Sequence, residues 1–158
     1  KTTDGYIMYY FGYSQNGDSA VGMAASIDGV AWRKYDNPET TAAPYLNSDP
    51  ILSNNTPGWE NVNPRIVRVL QFGQNNWIMA FLGSAGENER NAIGYATSSD
   101  GIHWIPAEEN PVITIDSIPD GVSILNLDLV ATEDTIYLFL VCTRTDDSSA
   151  VYVATRPR

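Results

Sequence analysis

Side chains with the chemistry for binding or catalysis collect in two strand-like runs of the sequence, residues 61–70 and 122–131, and just before the first of them. A pair of carboxyl groups can act as general acid and general base, and an arginine can offer a bidentate fork to the oxygen atoms of a ligand. An indole ring can stack on an apolar C–H surface. The candidate catalytic residues are Glu60 and Asp128, and the candidate ligand-binding residues are Trp59, Asn63, Arg65 and Asn126.

The role of Arg65 has two interpretations. Aligning Asn63 with Asn126 places Arg65 beside Asp128, so Arg65 either holds a ligand or pairs with that carboxylate. Asp128 is correspondingly a functional carboxylate, the partner of Arg65 or a structural cap. The sequence pattern leaves these roles open.

The same inventory argues against metal and triad chemistry. A lone histidine, His103, excludes a multi-histidine metal site and leaves no assignable Ser-His-Asp set. The acidic turn at residues 146–149 has too few fixed oxygen ligands for calcium, which takes 6 to 8. We therefore expect no metal and no other cofactor.

Charge restricts the class of partner. Nineteen acidic residues against nine basic ones give a net charge of −10. Nucleic acids and anionic lipids are bound chiefly through Lys and Arg, so neither is expected as a partner. No run approaches the roughly 18 apolar residues of a membrane span. The sequence predicts a soluble protein with a neutral partner.

The cysteine usage and the first residues say little about the compartment. A single cysteine, Cys142, excludes an intrachain disulfide, and its apolar neighbours predict a buried, inert thiol. Without an initiator Met or a signal-peptide h-region, the sequence is expected to begin at a processed or cut end. An extracellular or periplasmic location is favoured.

An internal repeat organises the chain. Residues 21–32, VGMAASIDGVAW, match residues 93–104, IGYATSSDGIHW, with their serines and tryptophans each 72 positions apart. The match extends upstream, where residues 6–8 align with residues 77–79. A partial third copy places residues 137–140 opposite residues 77–80 and residues 151–155 opposite residues 93–97.

The repeated segment, here called the box (residues 21–32 and 93–104), is predicted to have a structural role, as a hairpin held by its own hydrogen bonds. Its Asp-Gly pair suits a tight turn in which Gly takes a positive φ and the Asp carboxylate caps backbone N–H groups. The Ser adds a hydrogen bond, and the Trp three residues after Gly folds back as an apolar plug. His103 is expected on the solvent side of this hairpin.

The repeat predicts an all-β chain of β-propeller blades, each a four-stranded antiparallel unit. We predict three, four and three strands for the successive units, about ten in all, with blades at residues 1–57, 58–118 and 119–158. No helix is expected. Closed propellers have roughly 4 to 8 blades, so this chain predicts an incomplete ring.

The repeat also carries a family resemblance. Residues 93–104 with the following Asn110-Pro111-Val112 resemble the third-strand hairpin of five-bladed propeller glycoside hydrolases and phosphorylases, which comprise arabinanase-, invertase- and mannoside-phosphorylase-like families. Residues 59–66, WENVNPRI, resemble the innermost strand that precedes it. The sialidase Asp box has one more residue between Asp and Gly, so sialidases rank lower.

The resemblance implies carboxyl groups that project from innermost strands into a central funnel. Glycoside hydrolysis needs two of them, about 5 to 5.5 Å apart for retention or roughly 6.5 to 9.5 Å for inversion. Glu60 and Asp128 are the acids in the matching runs, with Glu60 otherwise a solvated strand-end carboxylate. Trp59 either stacks on a sugar or packs where the strand starts. Asn63 stands where mannoside phosphorylases carry Asp, and an amide cannot serve as acid or base.

Two functions follow. The first is a glycoside hydrolase-like propeller, or part of one, that binds or processes a neutral oligosaccharide. The second is a non-catalytic propeller module that binds sugar or protein through self-association. Exposed sheet faces and edges invite further pairing, so we expect either a missing chain segment or a homo-oligomer to complete the ring.

Overall fold

The computed structural model describes residues 4–13, 19–53, 64–85 and 90–158, and for Ser84, Ala85 and Arg90 it describes the backbone alone. Runs rich in β-branched and aromatic residues, separated by Gly, Asn and Asp turns, give strands throughout this part of the chain. One 3-10 turn, Ile115–Ser117, accompanies them. The strands are β1 (Tyr6–Tyr13), β2 (Ser19–Ser26), β3 (Arg33–Lys34), β4 (Leu52–Ser53), β5 (Ile66–Gln71), β6 (Trp77–Ala85), β7 (Arg90–Ser98), β8 (Ile105–Pro106), β9 (Ile113–Thr114), β10 (Gly121–Ala131), β11 (Thr135–Arg144) and β12 (Ser149–Pro157).

The strands form three antiparallel sheets in chain order. The first has the order β1-β2-β3, with β4 also paired to β2; the second has the order β5-β6-β7-β8, with β9 also paired to β7; the third has the order β10-β11-β12. These are the predicted propeller blades. In the described part of the chain they do not close a ring, as expected.

The outermost strand of the first two blades is broken into two pieces. The strand β3 pairs with the end of β2 and β4 with its start, and β8 and β9 pair with β7 in the same way. In the second blade the gap is bridged by Asn110, whose side chain accepts from Tyr95 N at 3.0 Å and donates to Tyr95 O at 2.9 Å. The break explains why about ten predicted strands are observed as twelve.

Successive blades pack face to face around the central strand β6. Its side chains alternate: Trp77, Met79 and Phe81 enter one core against the first blade, whereas Ala80 and Leu82 enter a second core against the third blade. A strand buried on both faces reads as a continuous apolar run, as residues 77–82 do. The innermost strands β5 and β10 contact each other, and β1 contacts β5.

Both box hairpins have the predicted geometry. Gly29 and Gly101 each adopt a φ of 77°, and Asp28 and Asp100 each accept bonds of 2.8–2.9 Å from the two backbone N–H groups that follow Gly. His103 is exposed to solvent, as predicted.

The two box tryptophans differ in burial. Trp104 is 7% exposed because the first blade covers it, whereas Trp32, on the outer side of the first blade, is 38% exposed. Each indole N–H donates to the Gly carbonyl of its own turn at 3.2 Å. The hairpin fold is therefore local, and the burial of its tryptophan depends on the neighbouring blade.

The third copy of the repeat requires a correction. Trp77 pairs with Ser98 across the second blade, and in the third blade the matching pair is Ile136 and Arg156. Ile136, rather than Tyr137, therefore takes the position of Trp77. Placing residues 137–140 opposite residues 77–80 was one residue out, and a one-residue slip exchanges the two faces of a strand.

Cys142 is fully buried in the second core, as predicted, and burial raises the pKa of its thiol. Among the described residues no helix has the length and hydropathy to cross a membrane.

Candidate functional site

Arg68 on β5 and Asp128 on β10 form an ion pair between neighbouring innermost strands. The Arg68 Nε atom lies 3.5 Å from Asp128 Oδ1, and the two side chains are 40% and 68% exposed. A pair this exposed contributes about 0–1 kcal/mol to stability. The fold therefore depends little on it, and both groups stay accessible to a ligand.

Asn126 completes this group, here named the inner-strand cluster (Arg68, Asn126 and Asp128). Its Oδ1 atom accepts from Arg68 Nη2 at 3.3 Å and from Leu127 N at 2.9 Å. The other terminal nitrogen of Arg68 donates to Val67 O at 2.9 Å. The guanidinium is thus held by its own strand and by the next blade, which orients its fork.

Strand alternation brings the cluster together. Val67 and Val69 pack in the first core, so Arg68 between them points the other way. Leu127 packs in the second core, so the two polar residues on either side of it leave that core. A register shift between Ile124 and Asn126 adds one residue to β10 relative to β11. This extra residue determines which side chains of β10 face the core and which face away from it.

The strand register corrects the predicted neighbour of Asp128. Val67 pairs with Phe81 and Leu127 pairs with Leu140, so Arg68 and Asp128 hold equivalent positions. The alignment of Asn63 with Asn126 was therefore three residues out. Arg65 lies just before β5, where its N–H donates to Leu82 O at 2.7 Å.

Three candidates, Trp59, Glu60 and Asn63, lie outside the described residues. Arg65, Asn126 and Asp128 are described, and the structure joins the last two through Arg68. Arg68 was missed in the sequence. Its signal was the pattern of Val67-Arg68-Val69, which parallels Leu127-Asp128-Leu129. Each triplet places one charge between a buried and a half-buried aliphatic residue.

The cluster offers guanidinium donors, a carboxylate and an amide on one accessible surface. These groups suit a ligand with many hydroxyls, which both donates and accepts hydrogen bonds. Asp128 is the only carboxylate that the described residues place on β1, β5 and β10. No group of three His, Cys, Asp or Glu side chains suited to a metal occurs in the described portion of the chain.

A second contact ties the same blades together. Asn91, at the start of β7, donates from Nδ2 to Ser123 Oγ at 2.9 Å and to Ile124 O at 3.2 Å. It joins the third strand of one blade to the innermost strand of the next. These two bonds hold the first residues of β10, the strand that carries Asn126 and Asp128 of the inner-strand cluster.

No protein-family profile matches the chain, and no curated protein matches it. Solved structures do. The Bombyx mori GH32 β-fructofuranosidase BmSUC1 superposes with a TM-score of 0.66 and 16% identity over 98% of this chain and 32% of its own. A glycosyl hydrolase from Bacteroides ovatus gives 0.60 and 16% over 100% of this chain and 45% of its own. A structure of a BT0996 RGII complex gives 0.65 and 16% over 94% of this chain and 40% of its own.

These similarities concern the fold. The chain spans less than half the length of each of these three structures, and at 16% identity a structural match does not carry an activity with it. The superpositions extend over 94–100% of this chain and thus include all three of its antiparallel blades. The resemblance drawn from the two boxes is confirmed at this level: the chain has the β-propeller fold found in these glycoside hydrolases.

Proposed function

We propose that the chain is a glycoside hydrolase-like propeller module that binds a neutral oligosaccharide at the inner-strand cluster. The observation that carries the proposal is the accessible Arg68–Asn126–Asp128 group on innermost strands of a fold shared with glycoside hydrolases. A variant of the Bombyx mori enzyme is described in complex with sucrose, which supports a sugar as the ligand class. Trp59, Asn63 and Arg65 are proposed to extend the same surface.

Hydrolysis or phosphorolysis would need a second carboxyl group beside Asp128. Glu60 is the proposed partner. Asn63 would then position the ligand, since an amide binds hydroxyls without transferring protons at neutral pH. We propose the blade divisions at residues 57/58 and 118/119.

Binding is tested on a glycan array with the unchanged chain, Asp128→Asn and Arg68→Ala. Glu133→Gln and Arg33→Ala serve as controls, since both alter exposed charges outside the cluster. We expect at least a tenfold loss of glycan signal in the first two variants and none in the controls. Equal signals in all four variants would remove the cluster from the binding site.

Turnover is tested separately on the glycans that bind. Loss of turnover in Glu60→Gln with binding retained would support catalysis, whereas Asp128→Asn is expected to lose turnover together with binding. Binding without turnover in the unchanged chain would leave a sugar-binding module.

The alternative function, a module that self-associates, rests on a different observation. The outer face of the third blade exposes Val151 and Val153, and the outer face of the first blade exposes Trp32. Two copies could cover these faces head to tail. Sedimentation tests this: a dimer that Val153→Glu converts to a monomer would favour self-association, and a monomeric unchanged chain would argue against it.

A further inference from the structure

An apolar pocket of about 360 Å³ opens between the second and third blades, and none of the inner-strand cluster residues lines it. Its floor and walls are aliphatic side chains from both blades. These side chains include Ala80, Ile93, Ile113, Ile136, Leu138 and Ala154. Tyr95, Glu109 and Arg156 form a polar rim, in which the Tyr95 hydroxyl donates to Glu109 Oε1 at 2.5 Å and the Arg156 guanidinium lies 4.6 Å from the Tyr95 ring centre.

The same position between the first and second blades is filled. Trp104 occupies it, with the Tyr9 ring at 6.0 Å in an edge contact, and the Tyr9 ring also lies 6.4 Å from the Trp77 ring. The Tyr9 hydroxyl donates to Gly101 O at 2.9 Å, which fixes the hairpin that carries Trp104. An aromatic cluster therefore closes the first interface where a cavity remains in the second.

The strand registers make the two interfaces comparable residue by residue. Ile136 takes the position of Trp77, and Ala80 takes the position of Tyr9. Ile113 and Ile93 correspond to Leu52 and Val21, which pair in the first blade. The counterpart that the second interface does not have is Trp104, because the sequence contains two Asp-Gly-x-x-Trp boxes and they belong to the first two blades.

The edge of the third blade matches this interpretation. In the second blade, β8 follows the box and pairs with Ala96 and Thr97 of β7. Their counterparts, Ala154 and Thr155, line the pocket on β12, which pairs with β11 alone among the described strands. An open strand edge beside an apolar pocket is suited to an added strand that inserts one large side chain.

The chemistry of the pocket selects the side chain. The aliphatic side chains of its floor offer no acceptor for an indole N–H. Trp104 needs no acceptor from the first blade either, because its indole N–H donates to Gly101 O within its own turn. We propose that the pocket is a socket for the indole of a third Asp-Gly-x-x-Trp hairpin, whose following strand pairs with the free edge of β12. In the present chain Arg156, which holds the position of Ser98, lies at the rim of this pocket where that hairpin would begin.

A first test uses indole itself on the unchanged chain, with methyl groups labelled for NMR. We expect saturable shifts confined to the methyl groups that line the pocket, among them those of Ile93, Ile136 and Leu138. They should be lost in Ala154→Phe, which places a ring in the pocket itself. No shift up to the solubility limit of indole, or shifts only at the exposed Val151 and Val153, would overturn the proposal.

A second test supplies the hairpin. Residues 156–158 are replaced by a second copy of residues 98–106, and the matched control carries Ala in place of the copied tryptophan. Burial of a tryptophan of this kind is expected to raise the melting temperature of the graft above that of its control by on the order of 10 °C. Equal melting temperatures in two folded grafts would show that the socket does not accept the indole.

Discussion

Arg68 and Asp128 occupy equivalent positions on neighbouring innermost strands, and the Arg68 Nε atom lies 3.5 Å from Asp128 Oδ1. Opposite charges thus meet where two copies of the repeat meet. The pair is exposed, so solvent screens it. Its accessibility, rather than its contribution to stability, distinguishes it from the buried residues on either side.

This contrast gives a prediction for adjacent residues of β10. Asp128→Asn should change the free energy of unfolding by less than about 1 kcal/mol, because exposed ion pairs contribute no more than that. Leu127→Ala should lower it by about 2–5 kcal/mol, because Leu127 is fully buried in the second core. Urea unfolding measures both; a large loss in Asp128→Asn would make that residue structural and weaken the proposed binding role.

The two box tryptophans provide a matched comparison. Trp104→Ala should destabilise the chain by about 3–5 kcal/mol, since it empties a buried position. Trp32→Ala removes the same side chain from the same local turn with no blade covering it, and we expect less than half of that loss. Thermal and urea unfolding of the pair would show whether blade packing, and not the turn, sets the value of the residue.

Asp100 should influence how the free energy of unfolding falls at acidic pH. Burial acts to raise the pKa of this carboxyl, but hydrogen bonds from His103, Ile102 and Ser98 outweigh it and hold the pKa well below its ordinary value. The folded chain then binds the proton more weakly than the unfolded chain does. The stability that Asp100 contributes is therefore fully present above about pH 4 and is lost as the pH falls further.

Unfolding measured from pH 6 to pH 2 checks this expectation. Asp100→Asn should flatten the decline below about pH 4, whereas Glu133→Gln, an exposed acid in a turn, serves as the control. An Asp100→Asn chain that loses stability with acid as steeply as the unchanged chain would assign the acid limb to other groups.

Tyr9 should influence how the free energy of unfolding changes at alkaline pH. Burial, and next the negative charge of Asp100, raise the pKa of its hydroxyl well above the ordinary range. The contribution of its protonated form is present below about pH 10, the pKa of an unfolded tyrosine, and is lost as the pH rises further. Tyr9→Phe should weaken that alkaline dependence and, at neutral pH, lose about 0.5–1.5 kcal/mol with the bond to Gly101 O. Burial also raises the pKa of Tyr95, so ultraviolet titration should show late-ionising tyrosine absorbance, part of which is absent in Tyr9→Phe.

The sequence predicted the box hairpins well because their geometry is local. Asp100, Gly101 and Ser98 lie within four residues of one another, and their hydrogen bonds form whatever the surrounding blades do. The same locality explains why the exposed position of His103 and the burial of Cys142 within an apolar run were predictable.

The inner strands were predicted less well because their register is set by contacts between distant residues. Nothing near Asn126 in the sequence reveals the extra residue that shifts β10 against β11. The alignment through Asn63 followed residue identity, whereas burial of Val67 and Leu127 decides which residues are equivalent. Arg68 was overlooked for that reason.

The break in the outermost strand lets blades differ in the length of the connection between its two pieces. In the first blade residues 35–51 lie between β3 and β4, and in the second the much shorter stretch 107–112 lies between β8 and β9, yet both pairs of short strands dock at matching positions. Lengthening a surface connection costs little, about 0.6 kcal/mol for each doubling. The perimeter can therefore absorb insertions while the ladder beneath keeps its alignment, so new segments could be introduced there without disturbing the interior.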